Sequence, residues 1–420
     1  MKVRIKPSSL VGDVLIPPSK SLAHRAIIAA SLAQGTSKIT NIQYSEDIKA
    51  TIEGMKALGA KIECYDDYLI IKGSTVKRVK NVIDANESGS TLRFLIPIAL
   101  ISDEEITFVG HNRLVKRPLD VYYDLFDKKN IQYSHEKDSY LPLKIKGSIK
   151  PGIFEVPGDV SSQFITGLLY TLPLLDGDSK IVITTKLESK GYIDLTVDML
   201  RRFGVDVLVG EDIISIKGNQ IFKACDYQVE GDFSQSAFFF LSNMLGNKVV
   251  LKGMNLNSYQ GDKKIMEDIA SFGGVIKNEN GGLIAYPMSL KGANISFAQS
   301  PDLGPALTVL ASTIVGEKSH FYEAARLRIK ECDRISAMKE ELEKLGGCIE
   351  EFEDGMDIYG RKLHGGEVYS HNDHRVVMAL AMLSTIVDED IIIDGAEAIK
   401  KSYPNFFEVF ASLGGKISYE

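Results

Sequence analysis

Polar residues gather at six points of the chain, each just ahead of a long apolar run: Ser19-Lys20-Ser21, Glu87-Ser88-Gly89-Ser90, Ser161-Ser162-Gln163, Asp232 with Ser234, Asp302, and Asn372-Asp373-His374-Arg375. Serine, aspartate and asparagine in such places cap the free N–H groups of a helix, and capping by itself accounts for most of these serines. Lysine, arginine and glutamine in a first turn need another reason, because a cation there opposes the helix dipole. An anion held jointly by the N–H groups and the cations supplies it. Further basic residues lie in HNRLVKRPL (Arg113, Lys116, Arg117), in ARLRIKECDRI (Arg326, Arg328, Lys330, Arg334), and at Lys400-Lys401. The alternation in the second group reads as a strand leading into a helix, with its cations along a site. Tyr403-Pro404 reads as the opening of the last helix. Planar anion recognition favours arginine, so phosphoryl or carboxylate ligands fit. Asp302 and Glu331, set among these cations, are candidates for proton transfer.

Several chemistries are excluded. There is no G-x-x-x-x-G-K-[ST] loop, no G-x-G-x-x-G after a strand and no G-x-S-x-G elbow. His371 and His374 have helical spacing but no third ligand, and Arg375 beside them argues against a metal. The four cysteines are scattered without any C-x-x-C pair, a reduced pattern with neither disulfide framework nor zinc site. The chain has 420 residues, 44% apolar and 25% charged, and a net charge of −7. That composition is globular, and the negative sign removes any general attraction for nucleic acid or anionic membranes. No secretory leader or membrane-length apolar run is present, so the expectation is a cytoplasmic protein.

The elements that must position these residues repeat. An amphipathic helix ending in Leu/Phe-Gly-small-x-apolar recurs at Gly59, Gly204, Gly273, Gly346 and Gly414, with Asn130 replacing the glycine in a sixth, degenerate copy. Glycine and asparagine both tolerate the left-handed conformation that ends a helix. A hairpin follows, its second strand ending in glycine at Gly73, Gly147, Gly218 and Gly360. Upstream of each amphipathic helix lies one that is apolar nearly all round and must be buried. Their starts, near Lys20, Gly89, Ser162, Ser234, Asp302 and His374, step by roughly 70 residues. Six units of one buried helix, one surface helix and about four strands follow. The fold class expected is α+β: two similar domains of three units each, buried helices surrounded by antiparallel or mixed sheets, not a doubly wound parallel sheet. If the buried helices of each domain point the same way, the domains face one another across an anion-attracting cleft.

With these residues in view, the chain resembles the 5-enolpyruvylshikimate-3-phosphate synthase family along its whole length. The resemblance is carried by P17-P-S-K-S-L-A-H-R25, N86-E-S-G-S-T-L-R93, V160-S-S-Q-F164, S189-K-G-Y192, S300-P-D302, R328-I-K-E-C-D-R-I335, N372-D-H-R375 and K401-S-Y-P404, in that order. It implies transfer of the enolpyruvyl group of phosphoenolpyruvate to the 5-hydroxyl of shikimate 3-phosphate, with release of phosphate and with neither organic cofactor nor metal. It implies that Lys20, Gly89, Arg117, Gln163, Arg334, Arg375 and Lys401 hold phosphoenolpyruvate. Shikimate 3-phosphate would be held by Lys20, Ser21, Arg25, Ser161, Ser162, Gln163, Ser189, Tyr192, Asp302 and Lys330. Lys20, Asp302 and Glu331 would be catalytic: Glu331 and Lys20 at the methylene carbon, Asp302 as base for the hydroxyl. The inverse α/β-barrel-like fold it implies divides the chain into residues 1–18 plus 229–420 and residues 19–228, with hinges near Pro17-Pro18 and Tyr227–Gly231. The expected partners are the two small substrates only, and the expected state is a monomer. Glyphosate would compete at the phosphoenolpyruvate site, with Gly89 leaving the room.

The chain departs from the family pattern at Glu87 (usually Asn), Ser90 (commonly Thr), Arg326 (commonly Asn) and Gly191 (commonly Pro). Ser90 is expected to keep a hydroxyl cap, and Glu87 to turn away from the anion site or pair with an arginine. The nearest rival is a UDP-N-acetylglucosamine enolpyruvyl transferase, which has Lys-Asn where this chain has Lys20-Ser21 and a reactive cysteine where HNRLVKRPL has none. A repeat-built, non-enzymatic clamp is disfavoured because helices such as AFFFLSNML cannot line water.

Overall fold

A computed structural model describes residues 1–420. The chain forms six four-stranded sheets, and each sheet follows one plan. In the second repeat, strand Val82–Asp84 leads into the buried helix Gly89–Ala99 and then into strand Ile106–Val109, parallel to the first and paired Val82 with Thr107. A crossover helix is what a parallel pair requires. The surface helix Asp120–Lys129 follows, and then the hairpin of Gln132–His135 and Leu143–Lys146, whose second strand returns antiparallel beside Ile106–Val109. Every sheet is therefore mixed, with one parallel edge and an antiparallel remainder. Strand residues alternate, as in Leu143–Lys146 with Leu143 and Ile145 inside, so one face of each sheet packs on the helices.

The core helices are apolar on every side because every side is covered. All residues of Phe233–Met244 and of His374–Leu383 are buried. The surface helices end as their glycines dictate: Gly204 takes φ +78° and Asn130 φ +55°, left-handed positions where Cβ-bearing residues are strained. No helix is long and apolar enough to cross a membrane.

Two compact units make up the chain, Pro18–Val229 and Met1–Pro17 with Glu230–Glu420. The first unit has its own core around Ile27, Leu95 and Leu168. Tyr227–Gln228, at its far end, supplies the parallel edge strand of the first repeat by pairing with Thr36–Thr40. The second unit depends on the chain's beginning. Lys2–Lys6 lies between Ile391–Asp394 and Lys416–Tyr419, antiparallel to both, and Val11–Leu15 forms the parallel edge beside Lys248–Lys252.

Three local expectations are corrected. Residues Ala325–Ile329 form a 3-10 turn, not a strand: strand Lys318–Tyr322 stops at Glu323, which takes a left-handed φ of 51°, and the chain turns immediately. The fifth buried helix begins at Gly304, after the short 3-10 turn Pro301–Leu303, and has no side-chain cap. The last helix is Phe406–Ser412, two residues beyond Pro404, because Lys401 ends a preceding 3-10 turn.

Candidate active site

In the unit Pro18–Val229, capping and anion-type side chains occupy adjacent positions rather than the same ones. Ser19, Ser88 and Ser161 cap their helices by accepting from Leu22, Thr91 and Gln163 N–H groups. The residues that follow are left to other partners. Lys20 pairs with Asp47 at 2.8 Å. The Gln163 amide donates to Ser90 Oγ at 2.9 Å and its carbonyl accepts from Arg93 at 2.8 Å, tying two helix starts together. Ser90 is thus a partner of Gln163 and not the cap expected of it, because Ser88, in extended conformation just before the first helical residue Gly89, already holds the cap position. Glu87 accepts from the Asn112 amide at 3.0 Å.

Gly89 is buried against Arg117: a Cβ there would stand 2.6 Å from the guanidinium Nη1. Arg25 is buried, and donates from Nε to Thr196 at 2.9 Å, from Nη1 to the Ser21 carbonyl at 2.8 Å, and from Nη2 to the Tyr192 carbonyl at 2.9 Å. Its guanidinium also lies over the Phe94 and Tyr192 rings. It therefore brings Ser21 and Tyr192 together. Ser189 stands at the head of the Tyr192-bearing helix Lys190–Arg202, with a left-handed φ of 54°. Ser162 is buried in the first turn of its helix.

In the other unit, Arg375 from the start of helix His374–Leu383, Arg334 from the start of helix Arg334–Lys344, and Lys330 just before that helix meet one carboxylate, Asp302, which lies just ahead of helix Gly304–Thr313. Arg334 Nη1 donates to Asp302 Oδ1 at 2.9 Å, Arg375 Nη2 to Oδ2 at 3.1 Å, and Lys330 Nζ lies 3.2 Å from Oδ1. Arg334 is almost fully buried; its Nε also reaches Asp373 at 2.8 Å and its Nη2 reaches Glu331 at 2.8 Å. Arg375 Nη2 is held in turn by Ser234 Oγ at 2.9 Å. Lys401 Nζ donates to the Asn372 carbonyl at 2.7 Å. Arg326 points to the Ala298 carbonyl, and Arg328 is tied to Asp333 and the Glu353 carbonyl, so the 3-10 turn spends both arginines on its own scaffold.

This geometry sets the electrostatics. Burial works to raise the Asp302 carboxyl, and Arg375, Lys330 and Arg334 outweigh it, holding it well below the ordinary range. Burial lowers Lys330 to about 8; Asp302 opposes that shift, and Arg326 and Arg334 reinforce it. Asp373 is kept ionised by Arg334 against its burial. Arg334, Arg375 and Lys330 thus each face a carboxylate already, and an incoming anion would exchange with Asp302 rather than fill a bare positive pocket.

The sequence reading gives no site role to Asp373, Ser234, Asp47 and Arg93, although these residues orient Arg334, Arg375, Lys20 and Gln163. Asp373 and Arg93 stand inside the quoted motifs, and that is the available signal. Nothing in sequence marks Asp47 as the partner of Lys20.

The profile of the EPSP synthase (3-phosphoshikimate 1-carboxyvinyltransferase) family matches residues 5–410. A protein named 3-phosphoshikimate 1-carboxyvinyltransferase from Clostridium perfringens (strain SM101 / Type A) is 52% identical over 424 residues, covering 100% of both chains. One of the same name from Clostridioides difficile (strain 630) is 48% identical, covering 99% of this chain and 98% of its own. A solved structure of EPSP synthase from Acinetobacter baumannii is similar with a TM-score of 0.81 at 27% identity, covering 100% of both chains.

Proposed function

The chain belongs to the EPSP synthase family, the 3-phosphoshikimate 1-carboxyvinyltransferases, and from that premise we propose which of its side chains bind and which move protons. It is an enzyme of the shikimate pathway that transfers the enolpyruvyl group of phosphoenolpyruvate to the 5-hydroxyl of shikimate 3-phosphate and releases phosphate.

In this reading Lys20, Gly89, Arg117, Gln163, Arg334, Arg375 and Lys401 hold phosphoenolpyruvate. Ser21, Arg25, Ser161, Ser162, Ser189, Tyr192, Asp302 and Lys330, together with Lys20 and Gln163, hold shikimate 3-phosphate. The observation that carries the reading is the convergence of Lys330, Arg334 and Arg375 on Asp302. It combines cations for an anionic substrate with a carboxylate for its hydroxyl.

The carboxylate and phosphate of phosphoenolpyruvate take guanidinium donors from Asp302 and leave it more basic. A proton from Glu331 or Lys20 goes to the methylene carbon, and the adjacent carbon gains oxocarbenium character. The 5-hydroxyl oxygen bonds to that carbon while Asp302 takes its proton. The resulting tetrahedral intermediate returns a methyl proton to the group that gave one, Glu331 or Lys20, as its carbon–oxygen bond to phosphate breaks. The cations stabilise the charge that phosphate carries away. The chain crosses between its units at residues 17–18 and 229–230, and we assign the hinge that admits substrates to these crossings. The enzyme is taken to work as a cytoplasmic monomer.

Turnover in deuterated water separates the proton roles. With Glu331→Gln, deuterium uptake into the methylene group and turnover should fall together by about 10²–10⁴-fold. With Asp302→Asn, turnover should fall by a similar factor. Full deuterium uptake and turnover in Glu331→Gln would remove Glu331 from the methylene step.

A further inference from the structure

One buried carboxylate near this cluster has no place in the steps above. Glu341 lies on the helix Arg334–Lys344, two turns beyond Arg334 and so on the same face. Its Oε2 accepts the Tyr369 backbone N–H at 2.9 Å, and its Oε1 lies 2.6 Å from His371 Nε2. Lys344 donates to both oxygens, at 2.9 and 3.0 Å. Burial would raise this carboxyl, but His371, Lys344 and the Tyr369 N–H outweigh it and keep it ionised.

The segment it grips is unusual. His371 and Asn372 are consecutive left-handed residues, with φ of 49° and 55°. Asparagine tolerates that conformation by itself, but a histidine beside it adopts it less often and is helped there by its surroundings. The turn they make presents the Asn372 carbonyl to Lys401 and starts the helix carrying Arg375, with Asp373 accepting the Arg375 N–H at 2.8 Å. The helix Arg334–Lys344 therefore holds this turn at two places: Arg334 at Asp373, and Glu341 at Tyr369 and His371.

We propose that Glu341 and His371 are positioning residues: their contact fixes the left-handed His371–Asn372 turn, and through the Asn372 carbonyl it aims the Lys401 ammonium at phosphoenolpyruvate. The inference rests on the reading above that Lys401 binds that substrate. Glu340, Glu341 and His371 also stand within chelating distance of one another. Lys344 bonds both glutamates, however, and already offsets part of the charge a metal ion would neutralise.

The test joins kinetics to a structure. Glu341→Ala and His371→Ala should each raise KM for phosphoenolpyruvate roughly tenfold, with kcat and KM for shikimate 3-phosphate within about twofold of the parent. Glu341→Gln, whose amide carbonyl still accepts the Tyr369 N–H, should restore most of the loss. A substrate-free crystal structure of Glu341→Ala should show the Asn372 carbonyl turned off Lys401. If that variant does not fold, His371→Ala, which leaves a half-buried position, carries the same comparison. A retained turn with unchanged KM, or an equal rise in KM for both substrates, would overturn the proposal. A parent without turnover would sink the substrate assignment, while the position of the Asn372 carbonyl in the variant would still decide whether Glu341 sets the turn.

Discussion

At the scale of single residues, the notable quantity is the charge state of Lys330. A buried ammonium brought down to about 8 is still mostly protonated at neutral pH, then loses its charge just above it. Its folded pKa is depressed, so the cation available to a phosphate is present below that value and lost as pH rises through it. Affinity for shikimate 3-phosphate is therefore expected to fall between about pH 7 and about pH 9. Lys330→Arg, which cannot lose its proton in that range, should flatten the fall. Titration calorimetry across these pH values checks it; an unchanged fall in the variant would assign the titration to another group. The same neighbourhood explains why Asp302 is a poor base before substrate arrives, with Arg334, Arg375 and Lys330 all facing it.

At the scale of elements, the start of a buried helix such as Gly89–Ala99 opens the crossover between two parallel strands, and in the proposed reading its first turn meets the ligand. Gly89 shows how tight that arrangement is. The methyl of Gly89→Ala would meet Arg117 at 2.6 Å, and the guanidinium must move to admit it. KM for phosphoenolpyruvate should rise on the order of tenfold with little change in melting temperature, because the strain falls on a flexible side-chain end. An unchanged KM would mean that Arg117 does not contact that substrate. Much of this level is legible in sequence. The all-round apolar runs mark the six core helices, and the recurrent glycines, with Asn130 among them, mark left-handed helix ends. The run at 326–330 reads as a strand because its apolar residues alternate, and five residues are too few to tell a period of two from the period of three of a 3-10 turn. What separates them is the left-handed Glu323, a residue whose type does not announce that conformation. Partners such as Asp47 for Lys20 and Asp373 for Arg334 depend on which helices pack together, which local pattern does not encode.

At the scale of the whole molecule, the two units differ in continuity. Pro18–Val229 contains every strand of its three sheets, while residues 230–420 lack the inner strand Lys2–Lys6 and the edge strand Val11–Leu15. A fragment of residues 18–229 should melt cooperatively by circular dichroism. A fragment of residues 230–420 should not, until a peptide of residues 1–17 is added. Cooperative folding of 230–420 alone would show that the inner strand is dispensable. The long-range exchange of Lys2–Lys6 into the sixth sheet is beyond periodicity, since the pairing spans nearly the whole chain; only the family resemblance places it in the second unit. Phosphate release from phosphoenolpyruvate should be followed with shikimate 3-phosphate, with UDP-N-acetylglucosamine, and with neither acceptor. Release only with shikimate 3-phosphate is the expected result; release with the sugar nucleotide instead, or with no acceptor, would contradict it.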